Sequence, residues 1–295
     1  MKKSLFRERT VLALTTVSLF LLCATTVLAA TCPSGAICRD ETPGSYSTSG
    51  PYGYTTTTSL PGVTNAATIY IPRTAAAPFS SIIFMQPYTG YQYMDAAWGP
   101  FFASHGIVYV NADALSTMTD TVDMRATQQW DIYNAFKALN TRTGHVLKGK
   151  LNTSRIGLMG WSMGGGATWI NASKTGVKTA CSLAGHNLTA VSPLARGAST
   201  KCPMLLMNGA TDLTYLGGMG QSEGVYNNIP SGISKVLYVV ALAGHMDWGD
   251  PNGLLTPNAG KIALAFQKTY LDGDTRWKSY IKNPGDASTW RAVLY

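Results

Sequence analysis

Residues 155–174 read "RIGLMGWSMGGGATWINASK". After its arginine, "RIGLMG" (155–160) is the short apolar run of a buried strand, and "GGATWINASK" (165–174) reads as a helix. Between them stands Gly160-Trp161-Ser162-Met163-Gly164. A serine on so sharp a turn sits in a strained conformation, and side chains two residues to either side would collide, so both flanking positions are glycine. Helix onset aims N–H groups and a positive dipole end at the same point. With a strand before it and a helix after it, Ser162 reads as a nucleophile on an elbow rather than as a serine of a glycine-rich loop.

Outward from the elbow, strands and helices alternate. "NAATIYIP" (65–72), "SSIIFMQP" (80–87) and "GIVYVNAD" (106–113) lie upstream as strands, and "VKTACSLAG" (177–185), "CPMLLMNG" (202–209) and "SKVLYVVAL" (234–242) lie downstream. Several are continuous apolar runs, the mark of strands buried on both faces. Residues 123–142 have helical spacing around Trp130, Tyr133, Phe136 and Ala138, and 258–274 form a closing helix. The stretch 31–62 is rich in turn formers, with a β-like "YGYTTTTSL" at 52–60. From about residue 80 the alternation predicts an α/β fold: a mostly parallel twisted sheet with helices on both faces. There is no internal repeat, long linker or second core, so residues 31–295 are expected to form one domain.

In such sheets the chemistry lies at the carboxyl ends of the strands. A nucleophilic serine there needs a base later in the chain and an acid between the two. The chain has four histidines. His105 and His145 precede Ser162 and read as a structural and a solvated residue. His186 and His245 both follow buried strands. Asp212, in "LLMNGATDLTYL", ends a strand, follows His186 and precedes His245. The order selects Ser162, Asp212 and His245. Asp247 and Asp250 are too close in sequence to His245 and read as loop carboxylates. Ser162 is inert until His245 takes its proton, and Asp212 would fix the imidazole tautomer and stabilise the imidazolium. Two N–H donors are expected for the oxyanion: Met163, next after the nucleophile, and Tyr88 in the loop "FMQPYTGYQ".

The bulk numbers fit this reading. The chain has 295 residues, 45% hydrophobic and 13% charged, a globular composition with ample apolar material to bury. "MKKSLFRER", then "VLALTTVSLFLLCATTVLAA" ending in small residues, reads as a secretory signal peptide over 1–30. That implies a secreted or periplasmic protein with no membrane contact after cleavage. The leader's four cations against Glu8 give a net +3, so the formal +8 of the whole chain falls to +5 over 31–295. No basic stripe with interleaved aromatics is present, which argues against a nucleic-acid partner. Without Cys23 four cysteines remain, and their even number suits disulfides in an oxidising compartment. Cys32 and Cys38 would close a small loop, and Cys181 and Cys202, each at a strand, are a second candidate pair; the spacing leaves the three possible pairings open. The cysteines and histidines match no familiar zinc spacing, and there is no dinucleotide-binding or P-loop motif, so no metal or cofactor is expected. Three N-x-[ST] triplets, at Asn152, Asn171 and Asn187, read as chance occurrences.

The chain resembles the secreted cutinase-like polyester hydrolases of bacteria, the group that includes poly(ethylene terephthalate) hydrolases. The resemblance covers roughly residues 45–282 and is carried by "PYTG", "AAWGPFFASHGIVYV", "RATQQW", "RIGLMGWSMGGG", "CPMLLMNGATD", "ISKVLYVVALAGH" and "YLDGDTRW", in the family's order and spacing. It implies an α/β-hydrolase domain without a lid, cleaving carboxylic esters in an open surface groove, with Ser162, Asp212 and His245 as triad and Tyr88 and Met163 as oxyanion donors. Trp161, beside the nucleophile, would line the groove. The chain departs from the family at three places. Pro87 stands where a glycine usually precedes the oxyanion tyrosine. "SLAGHN" puts Gly185, then His186, where a groove tryptophan is usual, which would open the groove unless Trp248 in "MDWGDPNG" compensates. A cysteine tying the C-terminal tail is missing. The expected activity is therefore hydrolysis of polyester, cutin-like or short-chain acyl esters by a monomer acting on a soluble ester or a polymer surface. Amide cleavage, acyl transfer by the same triad and a silent binding protein on the same fold are the alternatives.

Overall fold

Strand β3 (Phe79–Met85) is buried along its whole length, as its unbroken apolar run requires of a strand covered on both faces. It runs parallel to both its neighbours, β4 (Val108–Ala112) and β5 (Leu151–Trp161). The computed structural model describes residues 31–44, 46, 48–186, 193–213 and 219–295. The expected leader and Asn187 lie outside these. Beyond β5 the parallel arrangement continues through β6 (Val177–Leu183), β7 (Met204–Gly209) and β8 (Lys235–Val240). The edges are antiparallel: β2 (Ala67–Pro72) on β4, β1 (Tyr54–Thr57) on β2, and β9 (Ala287–Val293) on β8. Among the described residues the sheet order is thus β1-β2-β4-β3-β5-β6-β7-β8-β9, within a compact unit spanning Cys32–Tyr295.

Alternation along the strands feeds two apolar layers. Ile83 and Met85 join a core with α2 (Val122–Ala138), α3 (Met163–Asn171) and α5 (Met219–Asn228). Ile82 and Phe84 face the other side, with α1 (Trp98–Ser104) and α6 (Ala259–Tyr270). A short helix, α4 (Pro193–Ala198), precedes β7. Helix α2 starts where Thr121 accepts a bond from Met124 N–H, with Asp123 in its first turn and Lys137 in its last, both complementing the helix dipole. The helix begins at the carboxyl end of the sheet, so its first turns border the site.

A disulfide joins Cys32 to Cys38. Cys181 and Cys202 are buried free thiols, so the second candidate pair does not form. They sit on opposite faces of the sheet, Cys181 in the α1/α6 layer and Cys202 in the other. Cys181 pairs in register with Leu205, three residues past Cys202. Their side chains diverge and no bridge can close between them. The amino-terminal segment is fixed by polar contacts at the opposite end of the sheet from Ser162. Ile37 N–H donates to Asp272 O, Arg155 donates to Gly35 O, and the buried Glu41 carboxylate meets His105 Nδ1 at 2.5 Å and Lys268 Nζ at 3.1 Å.

Candidate active site

The backbone at Ser162 has φ 55° and ψ −114°, a region that a residue with a side chain seldom enters. The glycines on either side are required by contact. A Cβ on Gly160 would stand 2.2 Å from Gly164 O, and one on Gly164 would stand 1.9 Å from Met85 O. Three described non-glycine residues have positive φ: Thr89, Ser162 and Ala184. Two of them, Thr89 and Ser162, line one pocket, a clustering typical of functional sites.

Four strand ends converge there. β5 delivers Ser162, the loop after β3 delivers Tyr88, the loop after β7 Asp212, and the loop after β8 His245. Ser162 Oγ lies 2.9 Å from His245 Nε2, and His245 Nδ1 lies 2.9 Å from Asp212 Oδ2. The Asp212 side chain is fully buried and that of His245 is 16% exposed. An ionised carboxylate only accepts, so Nδ1 carries the proton and Nε2 is free to accept from the serine hydroxyl. Sheet-end bonds hold the Asp212 and His245 loops together: Ala210 N–H donates to Val240 O, and Thr211 N–H and Oγ1–H donate to Ala243 O.

The pocket above Ser162 has a volume of about 490 Å³. Ser162 and Met163 lie in its lining, with Pro87-Tyr88-Thr89, Asp120-Thr121-Val122, His186 and His245-Met246 around them. Tyr88 and Met246 are exposed apolar side chains at the rim. Met163 opens α3, so its N–H has no partner within the helix and is available at the pocket. Asp247 and Asp250 are loop carboxylates: Asp247 accepts from Gly244 N–H and Asp250 from Asn252 N–H.

The groove assignments need correction. Trp161 and Trp248 are buried and belong to the α1/α6 core layer. Trp161 is the last residue of β5, so alternation turns its ring beneath the site, where Nε1–H donates to His245 O at 2.9 Å. Trp248 donates to Gly244 O and accepts at its own carbonyl from Trp98 Nε1–H. Both support the His245 loop from below, and neither lines the pocket. Gly185 faces inward as well. A Cβ there would meet Ser182 Oγ at 2.2 Å and Trp169 Cζ2 at 2.7 Å, so this glycine does not open the groove. The wall residue is His186, whose ring lines the pocket although the residue is 98% buried (2% exposed). Burial lowers its pKa to about 4, with His245 and Arg125 lowering it further and Asp212 opposing, so the imidazole is neutral at pH 7. Its Nδ1 is buried without a hydrogen-bond partner.

Other neighbours were not singled out in the sequence. Asp120, Thr121 and Val122 reach the pocket because α2 begins there; the Thr121 cap followed by an apolar-periodic run was the available signal. Beneath the Tyr88 loop, Gln86, Asp95 and Asn111 form a buried polar network: Asn111 Nδ2–H donates to Asp95 Oδ1 at 2.7 Å and Gln86 Nε2–H at 3.3 Å. Burial raises the Asp95 pKa to about 7.

A serine, a histidine and an aspartate in contact at the carboxyl ends of β5, β8 and β7, on a mostly parallel sheet covered on both sides, are the arrangement of an α/β-hydrolase. The family model described as PET hydrolase-like matches residues 39–293, and the chain belongs to that family; it is a serine ester hydrolase. It is 30% identical over 215 residues to cutinase 1 of Thermobifida cellulosilytica, covering 72% of this chain and 76% of that protein. It is likewise 30% identical over 215 residues to a cutinase of Thermobifida fusca, of whose length the match spans 66%. The bis(hydroxyethyl) terephthalate hydrolase of Streptomyces coelicolor is 30% identical over 238 residues, 79% of this chain and 71% of that protein.

Proposed function

We propose that Ser162, His245 and Asp212 are the catalytic triad, with the N–H groups of Tyr88 and Met163 as oxyanion donors. The supporting observation is the pair of 2.9 Å contacts linking Ser162, His245 and Asp212 on the open pocket. His245 Nε2 takes the Ser162 proton as Oγ attacks the ester carbonyl, and the oxyanion is held by the two N–H groups. Collapse expels the alcohol, which leaves with the proton from His245. Water, deprotonated by the same imidazole, then releases the acid. Asp212→Asn would leave the fold intact and lower kcat by roughly 10⁴-fold through the wrong imidazole tautomer.

The substrates are carboxylic esters of polyester, cutin-like or short-chain acyl type. The exposed Tyr88 and Met246 at the pocket mouth, the stacked pair Tyr91–Tyr93, whose Tyr93 lines a second hollow with Met246, and the names of the cutinase relatives support this. His186 in the wall presents a smaller ring than a tryptophan, which favours aliphatic over aromatic acyl groups. Residues 1–30 act as a secretion leader and 31–295 as the catalytic domain of a secreted or periplasmic monomer. The test is acid release from an aliphatic polyester film and from a soluble short-chain ester, with the amide analogue alongside, for wild type and Ser162→Ala. Release from both esters, abolished in the variant, is expected. Full activity in Ser162→Ala ends the assignment, and release from the amide alone moves it to another acyl bond.

A further inference from the structure

Arg125 sits on the second turn of α2 and is completely buried. It is not part of the pocket lining, yet its guanidinium holds the loops that form the pocket wall. Nη1 donates to Gln86 O and to Pro87 O, both at 2.7 Å. Nη2 donates to Ser116 O at 3.3 Å and Thr117 O at 3.1 Å. Nε lies 3.7 Å from Asp120 Oδ2, which also accepts from Gln128 Nε2–H and Ser116 N–H. Thr117 O accepts in addition from Thr89 N–H at 2.8 Å.

The Pro87 carbonyl and the Tyr88 N–H belong to one peptide unit. That unit is trans, since Ala77–Pro78 holds the cis peptide bond found among the described residues. In a trans peptide the C=O and N–H point in opposite directions. With the Pro87 oxygen fixed on Arg125 behind the loop, the Tyr88 N–H points forward, to the side where Pro87, Tyr88 and Ser162 line the pocket. A cation on the carbonyl oxygen also polarises the peptide and makes its N–H a stronger donor. The next residue, Thr89, is β-branched with φ 57°, a conformation that is strained and needs surrounding structure to hold it. Its own N–H is tied to the Thr117 carbonyl that Arg125 also holds. Gly90 N–H also donates to the Pro87 oxygen, at 3.0 Å, within the same turn; removing the guanidinium would leave that single neutral bond on Pro87 O and take the charged donor from the Thr117 carbonyl that holds Thr89.

We propose that Arg125 is a positioning residue for ester hydrolysis: through the Pro87 and Thr117 carbonyls it sets and polarises the Tyr88 N–H that stabilises the oxyanion. The inference rests on the reading of Tyr88 as an oxyanion donor. It requires that loss of Arg125 damage transition-state binding and spare ground-state binding.

The test compares wild type, Arg125→Met and Arg125→Lys on a soluble short-chain ester. A trifluoromethyl ketone, which adds Ser162 to form an oxyanion, and the matching methyl ketone serve as inhibitors. Complete loss of an oxyanion donor costs roughly 10²–10³-fold in kcat. A donor left in place but unaligned should lose less, so Arg125→Met is expected to lower kcat about 10- to 100-fold, with KM within about twofold. Its affinity for the trifluoromethyl ketone should fall in parallel, with affinity for the methyl ketone and the midpoint of the pH profile unchanged. Lysine keeps the charge but lacks the fork that spans two carbonyls, so Arg125→Lys should recover part of the loss. If the methionine variant does not fold, the lysine variant decides. Wild-type kcat and wild-type preference for the fluorinated ketone in a folded Arg125 variant overturn the proposal, as does a loss confined to KM. If wild type itself does not prefer the fluorinated ketone, the oxyanion reading beneath it fails instead.

Discussion

A methyl group is enough to probe the inner wall of the site. The Cβ that Gly185 lacks would overlap Ser182 Oγ and crowd Trp169, so Gly185→Ala is expected to destabilise the protein by about 1–3 kcal/mol through overpacking. A lowered urea midpoint with KM unchanged is the expected result; a midpoint equal to wild type would mean that the wall yields. Trp161 offers the complementary case. Trp161→Phe keeps most of the buried ring and removes the bond from Nε1–H to His245 O. It should lower kcat by loosening His245, the proposed base, and leave KM unaltered, as steady-state kinetics would show; a raised KM would place the ring against substrate after all. Both residues adjoin site residues in sequence, and that proximity is what misleads. At the end of a strand successive side chains point to opposite faces, so the neighbour of Ser162 enters the core and Gly185 turns inward while His186 lines the pocket. Chain order among strand ends, by contrast, is independent of face, which is why it singled out Ser162, Asp212 and His245, three side chains that the fold brings into contact.

At the scale of elements, segments with strong periodicity were legible and those without it were not. β3 is buried along its whole length, and α2 has a cap and buried positions that recur at helical spacing, Ala126, Gln129, Ile132, Tyr133 and Phe136 among them. Helix α1 has seven residues, six of them buried, and contains Gly99 and Pro100, so it shows no amphipathic contrast. Helix α5 carries Gly220 and Gly224 and no clear stripe. β9 is an edge strand of partly exposed Ser, Thr and Arg positions, and its antiparallel pairing with β8 leaves no local signal. The charged contacts that fix the amino-terminal segment were equally invisible, because they join Glu41, His105 and Lys268 from three distant stretches. They can be tested. Lys268→Met keeps the stem volume and leaves the Glu41 carboxylate buried without its 3.1 Å cation. A loss of about 3–5 kcal/mol is expected on breaking such a pair, read as a lower denaturant midpoint. An unchanged midpoint would mean that His105 alone satisfies Glu41.

For the molecule as a whole, two buried groups near the site act on stability in opposite senses. The pKa of His186 is lowered to about 4. The unfolded chain binds its proton more readily, so its contribution is present above pH 6.5 and lost as pH falls toward 4. The pKa of Asp95 is raised to about 7. Its contribution is present below the unfolded value near 4 and lost as pH rises through 7. Between pH 4 and 7 the two slopes offset one another. Asp95→Asn removes the second, so its stability, measured by denaturant unfolding, should rise with pH across this interval more steeply than that of wild type. A parallel curve would show that Asp95 titrates at its ordinary value.

The central claim is that Ser162 is the nucleophile of a serine esterase, and covalent trapping tests it most directly. Wild type is treated with an alkyl fluorophosphonate, residual ester hydrolysis is followed, and the adduct is located by peptide mass mapping. The account predicts one adduct per chain, on Ser162 in tryptic peptide 156–174, accumulating in proportion to lost activity and absent from Asp212→Asn on the same time scale. Full activity with Ser162 blocked, or inactivation with the adduct on another residue, would contradict it.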